Sequence, residues 1–302
     1  MNIGFAGAGA VGCHYGSKLQ QAGADVLLLA RGAHLQAMLS HGLKHESEGV
    51  CCDITVAATD DVARLHTCSV LVLSCKMTGL KAMLDALQGH IAAGTLLVTL
   101  QNGVEAPDMV AAAFPDHAIV AGTAFIGARL EQPGYVMHTA AGGIRMGLWQ
   151  RGNGERNIAD LMDVFHLAGV PARMDDDPEA MLWRKLLWNC GFNALTAITR
   201  RYAREMAAHG DTLDIVRQAM AETVALAQAR GIGIGAADIA KHIEVTLAMG
   251  PVKTSMWQDI EAGHKTEVDF LNGYVAVESA SMHLASPANQ WLTTLVRAIE
   301  IE

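Results

Sequence analysis

No stretch of this chain reaches the roughly 18 consecutive apolar residues that span a bilayer. Its start, MNIGFAGAGAVG, has none of the charge that opens a secretory signal peptide. A cytoplasmic protein is therefore expected, with no membrane partner. Basic blocks are missing as well: 22 Lys and Arg stand against 31 Asp and Glu, a net charge of −9. A surface without clustered cations cannot neutralise a run of phosphates, which argues against nucleic acid as a partner. No CxxC pair occurs among the six cysteines and no HExxH among the 13 histidines. The cysteines therefore read as reduced, small hydrophobes, and no metal site is expected. Internal repeats and low-complexity tracts are absent too. What remains is a 302-residue chain, 51% apolar and 18% charged, long enough for two domains with a core each.

Short apolar runs at 2–6 (NIGFA), 25–30 (DVLLLA), 70–75 (VLVLSC), 95–100 (TLLVTL) and 118–121 (AIVA) alternate with helix-length segments such as 11–22 and 80–90. Continuously apolar strands separated by helices indicate a parallel sheet covered on both faces. After Gly122 the pattern changes to alternating segments, with Gln132-Pro133-Gly134 and Gly142-Gly143 reading as hairpin turns. From about Asp176 helical periodicity runs almost to the end. Three aspartates precede Pro178 there, acid at the positive end of a helix dipole. The expectation is an α/β chain: an N-terminal Rossmann-type doubly wound sheet over 1–175 and an all-helical C-terminal domain over 176–302.

Gly7-Ala8-Gly9-Ala10-Val11-Gly12 matches GxGxxG between a strand and a helix. In that setting the first glycine permits the tight turn. The second lets the backbone approach a pyrophosphate, and the third lets helix pack on strand. At the end of the second strand, where an NAD site carries an acid for the ribose 2′-OH, this chain has Ala30 and then Arg31. A guanidinium without a competing carboxylate suits a 2′-phosphate, so NADPH is the expected cofactor. Lys76, and Gln101-Asn102-Gly103, follow two further strands and are expected near the nicotinamide half.

One helical segment, EAMLWRKLLWNCGFNALTAITR (179–200), raises a question because Lys185, Asn189 and Asn193 interrupt its apolar pattern. At about 100° per residue they fall within roughly 80° of one another. One cation with two neutral amides is an unusual solvent face, which makes a substrate-facing stripe the alternative to an ordinary surface.

Taken in order, GAGAVG, Arg31, Lys76 in its CK loop, QNG, WRKLLWN, NALTAI, SM-x-QD and EVDFLNG resemble the ketopantoate reductases, the 2-dehydropantoate 2-reductases, across most of the chain. The resemblance implies NADPH-dependent hydride transfer to the carbonyl of 2-dehydropantoate, giving pantoate on the way to pantothenate and coenzyme A. It implies Lys185 as general acid and Glu267 as the carboxylate that holds the substrate hydroxyl and the lysine. Asn189 and Asn193 would contact the substrate, Ser255 its carboxylate, and Asn102 both substrate and nicotinamide ribose. Gly7 to Gly12, Arg31 and Lys76 would hold the cofactor. The partner is thus a small 2-oxo acid; oligomeric state stays open, a homodimer included. Another branched or aromatic 2-oxo acid is the alternative substrate, and a non-catalytic NADP(H)-binding sensor the alternative class. Trp183, Trp188 and Trp257 read as packing residues, Cys75 as a buried strand-end thiol, and His14 as a helix-packing residue or one near the cofactor phosphates.

Overall fold

The computed structural model describes residues 1–300; Ile301 and Glu302, the end of the expected second domain, lie outside the described residues. Contacts divide the chain into two compact units. The first comprises Met1–Gln101 and Glu105–Pro178, the second Asn102–Val104 and the chain from Glu179 onward.

The first unit is built on one ten-stranded sheet. Its strands are β1 (Asn2–Ala6), β2 (Asp25–Leu29), β3 (Leu43–Ser47), β4 (Val50–Ile54), β5 (Ala57–Thr59), β6 (Val70–Leu73), β7 (Leu96–Thr99), β8 (Ile119–Gln132), β9 (Tyr135–Gln150) and β10 (Ala172–Met174). Helices α1 (Ala10–Gln21), α2 (Gly32–His41), α3 (Met77–Leu87), α4 (Ala106–Ala113) and α5 (Asn157–Leu167) belong with it. Six strands, in the order β5-β2-β1-β6-β7-β8, are all parallel. Strand order reverses between β1 and β6, and in such sheets ligands bind beyond the strand ends at that point. The apolar residues of β1, β6 and β7 are buried, which accounts for their unbroken hydrophobic runs. The expected doubly wound sheet is therefore present.

Two details differ from the sequence reading. β3 and β4 form an antiparallel hairpin at the sheet edge, turning at Glu48 (φ 54°) and Gly49 (φ 77°). Gly142-Gly143 is not a hairpin turn. β9 runs through it, paired antiparallel with β8, and the register slips opposite Phe125 and Ile126 while Ala141 (φ 59°) and Gly142 (φ 116°) take left-handed backbone. The glycine there serves a bulge.

The second unit is helical: α6 (Pro178–Thr199, its first residue counted with the first unit), α7 (Ala203–Ala208), α8 (Gly210–Ala229), α9 (Ala236–Ala248), α10 (Ser255–Glu261), α11 (Asn272–Ser281) and α12 (Pro287–Ile299). α6 is its central element, with most of its 22 residues buried. Asn272 Nδ2 of α11 donates to Cys190 O of α6 at 2.9 Å and to Asn289 Oδ1 of α12 at 2.9 Å, tying three helices together inside the core. No helix among the described residues is long and apolar enough to cross a membrane, and no cluster of His, Cys, Asp and Glu among them could hold a metal ion.

Candidate active site

In the first unit the glycine turn shows which glycines the protein itself requires. Gly7 has φ 120°, and a Cβ on it would collide with the backbone N of Cys75. A Cβ on Gly12 would strike Gly7 O, and would lie 2.7 Å from Ser74 Oγ. Gly9, the N-cap of α1, has an extended backbone, and a Cβ there would meet nothing within 4 Å. The protein's own packing thus explains two of the three glycines. The open face at Gly9, beside the first N–H groups of α1, is what a diphosphate needs to approach the backbone closely. Ser74 Oγ donates to Gly7 O at 2.7 Å, and Ala8 N donates to Leu29 O at 3.0 Å, so the turn is anchored to the ends of β6 and β2. These residues fit a dinucleotide.

Arg31 is exposed and forms the N-cap position of α2; Lys76, also exposed, does the same for α3. Behind Arg31, His34 accepts a hydrogen bond at Nδ1 from Gly134 N, 2.9 Å away in the β8–β9 turn. A backbone N–H can only donate, so Nδ1 of this imidazole is unprotonated. Its Nε2 lies 3.4 Å from Cys13 Sγ on α1, and the whole arrangement braces the start of α2 against the glycine turn.

In the second unit the polar stripe of α6 is only partly self-satisfied. Asn193 Nδ2 donates to Asn189 Oδ1 at 3.3 Å. Asn189 is 2% exposed and Asn193 1%, yet Asn189 Nδ2 and Asn193 Oδ1 have no hydrogen-bond partner. One turn before Asn189, Lys185 has its ammonium 5.9 Å from the Trp188 ring centroid. Burial lowers its pKa from the ordinary 10.5 to about 8, since a desolvated ammonium favours its neutral form. Glu267, also buried, stands just before a short 3-10 turn (Val268–Phe270), and its Oε2 accepts from Asn102 Nδ2 at 3.0 Å. Asn102 lies in the three-residue stretch that clusters with the helical unit. Gly103 beside it, at φ 89°, has space for no Cβ: one would sit 2.9 Å from Phe270 O. Ser255 is the exposed first residue of α10, capped by Thr254.

The ketopantoate reductase PanE/ApbA family pattern matches residues 3–151, and the pattern of the family's C-terminal domain matches residues 177–300. The chain belongs to the ketopantoate reductase family. This is a family of oxidoreductases. The crystal structure of a ketopantoate reductase from Ralstonia eutropha is 31% identical, with a TM-score of 0.90 over 99% of this chain and 98% of that one. A 2-dehydropantoate 2-reductase from Nostoc sp. is 29% identical over 271 residues, 88% of this chain and 85% of its own. A ternary structure of D-mandelate dehydrogenase with NADH and anilino(oxo)acetate is 26% identical, with a TM-score of 0.91 over 99% of this chain and 98% of that one.

In this member of the ketopantoate reductase family, several residues next to the candidate groups escaped the sequence reading. Ser74 and His34 carry no motif of their own. Thr254 has a local signal, a threonine three residues before the N–H it caps. His242 has a weaker one: Asp238, His242 and Thr246 recur every fourth residue along α9. Arg184 Nε donates to Asp238 Oδ1 at 2.9 Å, and Trp188 Nε1 donates to Thr246 Oγ1 at 3.0 Å. His242 lies between those two contacts. Burial lowers its pKa first, a hydrogen bond to the Arg184 backbone and the charge of Asp238 oppose that, and the Lys185 and Arg184 charges add to the lowering.

Proposed function

We propose that this chain reduces 2-dehydropantoate to pantoate with NADPH, Lys185 acting as general acid. The observation that carries the reading is the pair of unpartnered amide atoms on Asn189 and Asn193, buried on the same stripe as a lysine whose burial brings its pKa to about 8. An unsatisfied buried donor or acceptor costs about 1–3 kcal/mol, and a polar ligand at this stripe would complete both atoms.

The reduced nicotinamide supplies the hydride. In the first unit, the Gly7–Gly12 turn would take the diphosphate on backbone N–H groups, Arg31 the 2′-phosphate, and Lys76 a further contact to the cofactor. In the second, Ser255 would hold the substrate carboxylate, while Asn189 Nδ2 donates to substrate oxygen and Asn193 Oδ1 accepts from its hydroxyl. As the carbonyl carbon gains hydride, charge grows on its oxygen and Lys185 Nζ gives up one proton to it, leaving alcohol and neutral amine. A lysine near 8 is still mostly charged at neutral pH and is a better acid than one at 10.5, a match worth roughly 10² to 10⁴ in rate. Glu267, with Asn102 donating to one of its oxygens, keeps a carboxylate beside the substrate hydroxyl and the lysine.

The likeness to D-mandelate dehydrogenase supports a second reading, reduction of an aromatic 2-oxo acid with NADH. A matrix of 2-dehydropantoate and phenyl-bearing 2-oxo acids against NADPH and NADH, read as kcat/KM, tests both. The first reading requires 2-dehydropantoate with NADPH to be the best pair by at least tenfold. A phenyl-bearing acid with NADH as the best pair establishes the second.

A further inference from the structure

A chain of hydroxyl groups joins the start of α10 to the amide stripe of α6. Thr196 is fully buried and Thr254 nearly so, and their hydroxyl oxygens are 2.7 Å apart. The direction of each bond follows from the partners. Thr196 Oγ1 donates to Asn193 O at 3.0 Å, which uses its one proton. Thr254 is therefore the donor between the two hydroxyls. Thr254 Oγ1 in turn accepts from Trp257 N as the N-cap of α10. Each hydroxyl thus gives one hydrogen bond and accepts one.

The ends of this chain matter more than its middle. Ser255 follows Thr254 directly. Asn193, whose backbone oxygen ends the chain, presents the unpartnered Oδ1 and is bonded through its amide to Asn189. Two methyl-bearing apolar side chains would fill the same space, but they would leave α10 free to slide on α6, since dispersion contacts are not directional. A buried hydroxyl pair fixes the distance instead.

We propose that Thr196 and Thr254 are positioning residues for the 2-oxo acid, their hydroxyl pair setting the span between Ser255 and the amides of Asn189 and Asn193. The inference rests on the reading above that those three residues bind the substrate. Neither threonine is asked to touch it. Loss of the pair weakens ground-state and transition-state binding alike, which appears in KM for the acid and leaves kcat nearly unchanged.

Thr196→Val is the primary test, because it breaks the pair while leaving Thr254 free to cap α10. Thr254→Val removes both the pair and the cap, and Thr196→Ser and Thr254→Ser restore the hydroxyls. The substrate is whichever 2-oxo acid the wild-type enzyme turns over fastest. Both valine variants are expected to raise its KM about tenfold, with kcat within threefold, NADPH affinity unchanged and the serine variants close to wild type. The inference is overturned if a folded Thr196→Val enzyme keeps its KM, if kcat and cofactor affinity fall in parallel with it, or if serine does not rescue. Ser255→Ala and Asn193→Ala, measured alongside, separate the two levels. If they leave KM for the acid unchanged, the reading of the substrate contacts fails and takes this inference with it; if they raise it while Thr196→Val does not, only the inference fails.

Discussion

Replacing Lys185 with methionine should separate stability from catalysis. The side chain keeps most of its length and apolar stem but loses the ammonium. Burial lowers that ammonium from 10.5 to about 8, which at 1.36 kcal/mol per pH unit corresponds to a penalty on the order of 3 kcal/mol for keeping it charged in the folded state. The sign follows from linkage. Between pH 8 and 10.5 the unfolded chain holds a proton that the folded chain has released, so wild-type stability rises with pH across that window. Below pH 8 the whole penalty is present. At pH 7 the methionine variant should therefore melt several degrees above wild type, at roughly 4 °C per kcal/mol for a unit of this size, and the gap should close as pH approaches 10.5. Single-turnover oxidation of NADPH should meanwhile fall by at least about 10². Calorimetry across pH 7 to 10 and rapid-mixing kinetics make the two measurements. A variant less stable than wild type at pH 7 would refute the burial argument, and a near-normal chemical step would remove Lys185 from catalysis.

Arg31→Asp should move cofactor preference from NADPH toward NADH, by losing a charge-assisted contact of roughly 1.5–3 kcal/mol; equal loss with both cofactors would make Arg31 structural. The first unit should lose stability in mild acid. His14 is pushed down to about 2 by burial, then by the charges of His138, His45 and Lys18, and His45 to about 4 by burial, then by Lys18 and His138. Their rings are hydrogen-bonded at 3.0 Å. Both folded values are depressed, so the stability they contribute is complete above about pH 6.5 and drains as pH falls toward 4, by about 1 to 3 kcal/mol per pH unit for the coupled pair. The melting temperature of a His14→Leu/His45→Leu variant should fall less steeply from pH 6.5 to 4.5 than that of wild type; an equal slope contradicts the assignment. In the second unit, Glu222 accepts from Ala288 N and Asn289 N at 3.0 Å, Asn289 Nδ2 at 2.7 Å and Gln218 Nε2 at 3.1 Å. Glu222→Ala strands the buried donors of Ala288 and Asn289 at the start of α12 and should cost about 2–4 kcal/mol in chemical denaturation; a loss under 1 kcal/mol would mean that water replaces the carboxylate freely.

How far the fold could be read from the sequence depended on how local each cause is. The central strands announce themselves because burial on both faces demands unbroken apolar runs. β3 (LKHES) and β4 (VCCDI) form the hairpin that ends the sheet, with β4 as its edge strand, and their exposed positions tolerate charged and polar residues, so neither carries such a run. Gly142 was read as a turn because a glycine pair signals left-handed backbone. The backbone is left-handed there, but inside a strand: β9 bulges where its pairing with β8 slips opposite Phe125 and Ile126, and that distant pairing is what separates a bulge from a turn.

The candidate site divides along the same line. The GAGAVG turn was legible because the demands on Gly7 and Gly12 arise within a few residues or at the neighbouring strand end. The bond between Asn102 and Glu267 spans 165 positions, and only the resemblance to a family brought those residues together beforehand. The α6 stripe lies between these cases. Periodicity gives the common face of Lys185, Asn189 and Asn193, but it cannot say whether that face meets water. Burial changes its meaning, because a solvated amide is satisfied by water, whereas Asn189 Nδ2 and Asn193 Oδ1 are shut away without partners, and the lysine beside them is desolvated. Each of the two amide atoms costs the folded state about 1–3 kcal/mol while nothing completes it. Under the proposed function, a small polar acid would complete the two amides and take its alcohol proton from the lysine.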